Sequence, residues 1–162
     1  MTLPQLIALG DHAILWLTMW AEGRGDSAEG HSSVEERIAI GCVIRNRVNT
    51  PHRFDKTYAQ VCLAPRQFSC WQVIDGAVNH QAVLALAAQL QAGTLQPFDP
   101  LCRETMFLAR GILTGDLVDH TNGAAHYVTT ALAMSAQAPA WVRQVPVTDR
   151  LVIGSQVFLR NA

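Results

Sequence analysis

Lysine is all but missing from this sequence: Lys56 stands alone beside eleven arginines. The formal net charge is only -1, so the basic surface on which a nucleic-acid binder relies is not expected. No apolar run reaches the ~18 residues of a membrane span, although hydrophobic residues make up 49% of the chain. The nearest approach, Ile14 to Ala21, follows Asp11 and His12, with neither a basic start nor a small-residue cleavage site around it. A standard secretory signal is therefore not expected. Repeats, charge blocks and low-complexity linkers are also absent. Cys42, Cys62, Cys70 and Cys102 match no paired zinc-ligand spacing, so buried thiols are the expectation and a Cys62–Cys70 bridge the alternative.

What is present suits one compact domain over residues 1–162, mainly α with a small β element. Leu3 to Ala21 reads as a largely buried helix, stopped by Gly23 and Gly25. A polar loop from Arg24 to His31 leads to a second helix near Ser33, where Ser33 and Glu36 have capping-box spacing. That helix ends before Pro51, with Val34, Ile38, Cys42 and Val43 toward the core. Thr57 to Cys62 forms a helical turn, and Pro65 to Trp71 is irregular. Asn79 caps a third helix running to Gly93; Asp99-Pro100 starts a fourth, closed by Gly115. Beyond His120 the helical period is lost, and extended pieces fall near Ala125–Val128 and Leu151–Leu159, with Trp141 and Ile153-Gly154 packing in a last hairpin.

Three segments carry candidate chemistry. Glu22 closes an apolar helix that also holds Trp16 and Trp20. Loss of water there favours the protonated acid needed to cleave a glycosidic bond at neutral pH, as in lysozyme. The ordinary alternative is an acidic helix end paired with Arg24. Pro65 to Trp71 joins polar residues to Phe68 and Trp71, which suits sugar binding equally with a loop pinned to the core. Asp119 to Tyr127 contains His120 and His126, but their spacing in a Gly/Ala loop is a weak metal signal. A turn placing His126 or Tyr127 at a cleft is the better reading.

Taken in order, these blocks resemble the SleB-like cell wall hydrolase family, named for spore cortex-lytic enzymes and including phage and proteobacterial hydrolases. Ala21-Glu22-Gly23-Arg24-Gly25-Asp26 is similar to that family's Ala-Glu-x-Arg-Gly-Glu opening. Ile38 to Arg47, Gln67-Phe68-Ser69-Cys70-Trp71 and Asp119-x-Thr121-x-Gly123-Ala124-x-His126-Tyr127 resemble its later blocks, as do Trp141, Ile153-Gly154 and Phe158. The resemblance spans about residues 16–160. Asp26 replaces the usual second Glu, the loop before Val34 is longer, His120 stands for Pro and Gln156 for His.

The resemblance implies a lysozyme-like, lytic-transglycosylase-type fold that cleaves peptidoglycan between N-acetylmuramic acid and N-acetylglucosamine. Glu22 is its implied acid and then base, needing no metal or cofactor. Gln67, Ser69, His126 and Tyr127 are the implied cleft contacts. A muramidase would use water and a second carboxylate, for which Asp26, Glu35 and Glu36 are candidates. A zinc amidase, which would need His120 and His126, and a non-catalytic wall-binding or phage structural module are the readings of other classes. The expected route is synthesis in the bacterial cytoplasm without a signal peptide, with action on the wall in the periplasm after holin-dependent release, as for a phage or prophage endolysin, or particle-borne delivery.

Overall fold

A computed structural model describes residues 1–23, 32–50, 54–72, 78–95 and 99–161. The fold is α+β: helices carry most of it, and a small antiparallel sheet follows them. The expected first helix is in fact two, α1 (Leu3–Ile7) and α2 (Asp11–Glu22). The break falls at Gly10, whose φ of 85° lies in the left-handed region that an L side chain resists. Asp11 then starts α2 at its electropositive end, and its carboxylate also accepts from the backbone N–H of Ala59 (2.9 Å).

Every residue of α2 from Ala13 to Ala21 is buried, because the helix is apolar on nearly all faces. It runs through the centre of the helical layer, packed by α3 (Val34–Val48), α4 (Tyr58–Leu63), α5 (Val78–Gln91) and α6 (Pro100–Thr114). Its one buried hydroxyl is satisfied twice: Thr18 Oγ1 donates to Ile14 O (2.7 Å) and accepts from Trp71 Nε1 (2.8 Å).

Local capping sets the starts of α3, α4 and α6. Ser33 Oγ accepts from Glu36 N (3.1 Å), Thr57 and Gln60 form a capping box, and Asp99 accepts from Leu101 N (2.9 Å) ahead of Pro100. Asn79 does not cap α5. It lies inside that helix, and its side-chain N–H donates to Ala21 O (3.0 Å) at the open end of α2. The expected stop at Gly25 lies outside the described residues, while Gly23 does close α2.

The sheet has order β1-β3-β2, with β1 (His126–Thr129) and β2 (Arg150–Ile153) both antiparallel to β3 (Gln156–Leu159). All four residues of the central strand are buried. Two short helices, α7 (Thr130–Met134) and α8 (Ala140–Gln144), join β1 to β2. Trp141 therefore belongs to α8 and not to the hairpin, whose turn is Gly154-Ser155. That turn is tied to α3, since Ser155 N and Oγ both donate to the Glu36 carboxylate (2.9 and 3.1 Å).

The four cysteines are buried free thiols, so Cys62 and Cys70 are not bridged. Burial pushes the Cys42 thiol up to about 11 and Cys62 up to about 12. Cys70 is raised well above its ordinary value by burial and then by Glu22. None of these three offers a thiolate near neutral pH.

Candidate active site

A cleft of about 960 Å³ opens between the helical layer and the sheet, at the upper end of the roughly 300–1,000 Å³ of ligand sites. Glu22 enters it from α2, Arg47 from α3 and Asn79 from α5. The 64–72 loop contributes Arg66, Gln67, Ser69 and Gln72, and the sheet side contributes Tyr127 to Thr129, Leu132, Ser155 and Gln156.

Glu22 is held from two directions. Its Oε1 accepts from Cys70 N (3.1 Å) and Ser69 Oγ (3.3 Å), while Oε2 accepts from the Tyr127 hydroxyl (3.0 Å). Helix geometry explains the first pair. Thr18 and Glu22 lie one turn apart on the same face of α2, so Trp71 and Cys70 reach both in succession. The short 3₁₀ turn Ser69–Trp71 is fixed from the far side by His80 of α5, whose Nδ1 donates to Cys70 O (2.9 Å).

Tyr127 is placed by a second set of contacts. Asn46 and Arg47 close α3 and grip the loop before β1: Asn46 Nδ2 donates to Asp119 Oδ2 (2.8 Å) and Ala124 O (3.0 Å), and Arg47 Nε donates to Ala125 O (2.6 Å). Asp119 also accepts from Thr121 N (2.7 Å), Thr121 Oγ1 (2.6 Å) and Gly123 N (3.1 Å). Partial burial works to raise the Asp119 carboxyl, but these donors outweigh it and hold the group below its ordinary value. Burial and then the Glu22 charge push the Tyr127 phenol well above its ordinary value, so it stays a hydroxyl.

Arg47 escapes a reading of the sequence, since an arginine is usually taken as a surface cation. It is 5% exposed, donates to Gln67 Oε1 (2.9 Å), and lies over the rings of Phe68 (5.1 Å) and Phe54 (5.5 Å). The signal was spacing: Arg47 follows Ile40 and Val43 by seven and four residues, on the buried face of α3. Asn79 and His80 carried no comparable signal.

The cleft thus brings together Glu22, Gln67, Ser69 and Tyr127. His126 lies elsewhere, with Phe54 and Trp141 ring centroids 5.9 and 5.6 Å away, because successive strand residues face opposite sides. Asp26 and Arg24 lie outside the described residues. Glu35 is exposed at the start of α3, and Glu36 is committed to Ser155. Among the described residues, Glu22 is the one carboxylate lining the cleft, and no cluster of three His, Cys, Asp or Glu forms a metal site.

An open polar cleft organised around one preoriented carboxylate has the outline of a hydrolase. The chain belongs to the cell wall hydrolase family, whose profile matches residues 31–159. The match begins after Glu22 but includes Ser69, Cys70 and Tyr127, which hold its carboxylate. No curated protein and no solved structure matches the chain. A cell wall hydrolase acts on peptidoglycan, and among the described residues no helix is long and apolar enough to cross a membrane.

Proposed function

We propose that this chain is a single catalytic domain that cleaves the β-1,4 bond from N-acetylmuramic acid to N-acetylglucosamine as a lytic transglycosylase. The observation that carries the reading is the three-donor setting of Glu22, with no second carboxylate lining the cleft among the described residues. Cys70 N–H is an obligate donor and keeps Oε1 as an acceptor. The Tyr127 hydroxyl can donate to an ionised Oε2 or accept from a protonated one, so Oε2 is the oxygen that carries the working proton.

In the first step that proton passes to the glycosidic oxygen as its bond to the muramoyl C1 breaks. The carboxylate then takes the proton of the same sugar's 6-hydroxyl, whose oxygen bonds to C1. Glu22 is reprotonated, the product ends in a 1,6-anhydro sugar, and no water is consumed. The attacking group is already part of the substrate, so this route needs no second catalytic carboxylate. A muramidase would instead present water on a second carboxylate.

Glu22→Gln keeps the shape and removes the proton carrier, so it should abolish release of soluble muropeptides while leaving the melting temperature close to wild type. Clearance of a peptidoglycan suspension by that variant at the normal rate refutes the role of Glu22. Mass spectrometry of the wild-type digest separates the chemistries: anhydro ends support the transglycosylase, reducing ends the muramidase, and freed peptides an amidase. Binding to sacculi without any release would indicate a non-catalytic module. Delivery to the wall by holin-dependent release or within a particle belongs to the same proposal.

A further inference from the structure

The loop that supplies Ser69 begins with a turn of unusual sequence. Gln67 N donates to Ala64 O (3.2 Å) across Pro65 and Arg66, and Arg66 has a φ of 63°. Proline followed by a positive φ is the pattern of a type II turn, whose third position normally takes glycine or asparagine because a branched-out Cβ is strained there. Gln72 holds the turn: with its amide oriented to satisfy its neighbours, its oxygen accepts from Arg66 N (2.5 Å) and Gln67 N (3.3 Å).

The strained position carries a charge into the cleft. Arg66 is exposed and lines it, and its side chain has no ion pair or hydrogen bond among the described residues. The other cation lining the cleft among the described residues, Arg47, is occupied by Ala125 O and Gln67 Oε1. Among the described residues the cleft therefore presents one uncommitted guanidinium, three residues before the serine that touches Glu22. Strain retained at a binding surface points to use of the side chain it displays.

We propose that Arg66 pairs with a carboxylate of the peptide stem attached to the glycan, so that the enzyme favours peptide-bearing strands. This rests on the glycan-cleaving reading of the same site. In an intact strand the acetamido groups and hydroxyls are neutral, and the muramoyl lactyl carboxyl is consumed in the amide bond to the peptide. The carboxylates left lie in the peptide, and a planar guanidinium matches them in a bidentate pair.

The test measures glycan cleavage by wild type, Arg66→Gln and Arg66→Gly on three substrates: intact sacculi, sacculi amidated with carbodiimide and methylamine, and amidase-stripped strands. An exposed pair should give Arg66→Gln a KM about three- to fivefold higher on intact sacculi, with kcat little changed and the gap closing at high salt. Wild type should lose the same factor on amidated sacculi, where the variant loses nothing further. Arg66→Gly should match Arg66→Gln in activity and melt no lower than wild type, because glycine suits the turn. Equal KM values for Arg66→Gln and wild type on intact sacculi overturn the proposal, as does an equal drop for both on amidated sacculi. Full wild-type advantage on stripped strands, once their freed lactyl carboxylates are amidated in the same way, overturns the peptide assignment, because no carboxylate then remains to pair with Arg66. If wild type cuts none of the three glycans, the underlying reading falls instead.

Discussion

Replacing Tyr127 by Phe removes one oxygen from the site and little else. The ring still packs near Phe158, at a centroid distance of 5.6 Å, and its strand still pairs in register with β3. The cleft is open, so water can take the vacated place beside Glu22 Oε2. The stability cost should stay near that of one ordinary hydrogen bond, about 1 kcal/mol, or about 2–4 °C in melting temperature for a chain of this size. The cost to the reaction should be larger, because water cannot hold the carboxylate in one orientation. Losing about 2–3 kcal/mol of charge-assisted interaction corresponds to about a 30- to 150-fold fall in kcat. Steady-state release of soluble muropeptides at saturating substrate reads that fall, with a thermal melt as the control for folding. Ser69→Ala provides the comparison: its bond to Glu22 is longer, at 3.3 Å, and Cys70 N still serves the same oxygen, so its loss should stay below about tenfold. A Tyr127→Phe enzyme that folds and turns over at the wild-type rate refutes the assignment of Oε2 as the working oxygen.

Three further outcomes follow from the geometry. Gly154→Ala would drive a Cβ into the Glu36 carboxylate at a φ of 59°, so it should cost at least about 2 kcal/mol and lower the melting temperature by about 4–8 °C. An unchanged melt would show that the Glu36–Ser155 contact does not hold the hairpin. Asp119 has a lowered folded pKa, so its stabilisation is complete above about 3.9 and is lost as pH falls through the lower folded value. Asp119→Asn should therefore be less stable at neutral pH, with a shallower loss on acidification, as read by melts across that range. The four buried thiols should resist iodoacetamide at neutral pH and label fully in denaturant; rapid labelling of Cys70 in the native enzyme would contradict its packing.

Features written locally in the chain are legible without coordinates. Ser33, Thr57 and Asp99 mark helix starts because their side chains bond within three residues, and the structure keeps all three. The break at Gly10 is hidden by the apolar sequence on both sides, and α7 and α8 are too short to establish a period. Asn79 and Glu36 show how distant partners defeat local rules. Each has capping spacing, yet one side chain turns to Ala21 and the other to Ser155. In the site, Glu22 and Tyr127 stand out by chemistry and motif. The contrast between Tyr127 and its neighbour His126 depends on which face of β1 meets the helices, and Arg47 becomes visible only once α3 has an inside.

The attachment of the sheet has a consequence for partial unfolding. Val142, Val145, Val157 and Leu159 form a small apolar cluster apart from the main helical one, and Phe158, Glu36–Ser155 and Arg47–Ala125 are links between the two layers. Tyr127 sits on the sheet side of that seam and Glu22 on the helical side. Detachment of the sheet would be a sub-global opening, cheaper than full denaturation because the helical core keeps its burial. Such an opening would withdraw the hydroxyl from Oε2 and, with Glu22 as the proposed acid, would stop turnover in a molecule that still has most of its helical signal. Inactivation by mild denaturant should then precede loss of helicity, with amides of β1 and β3 exchanging before those of α2.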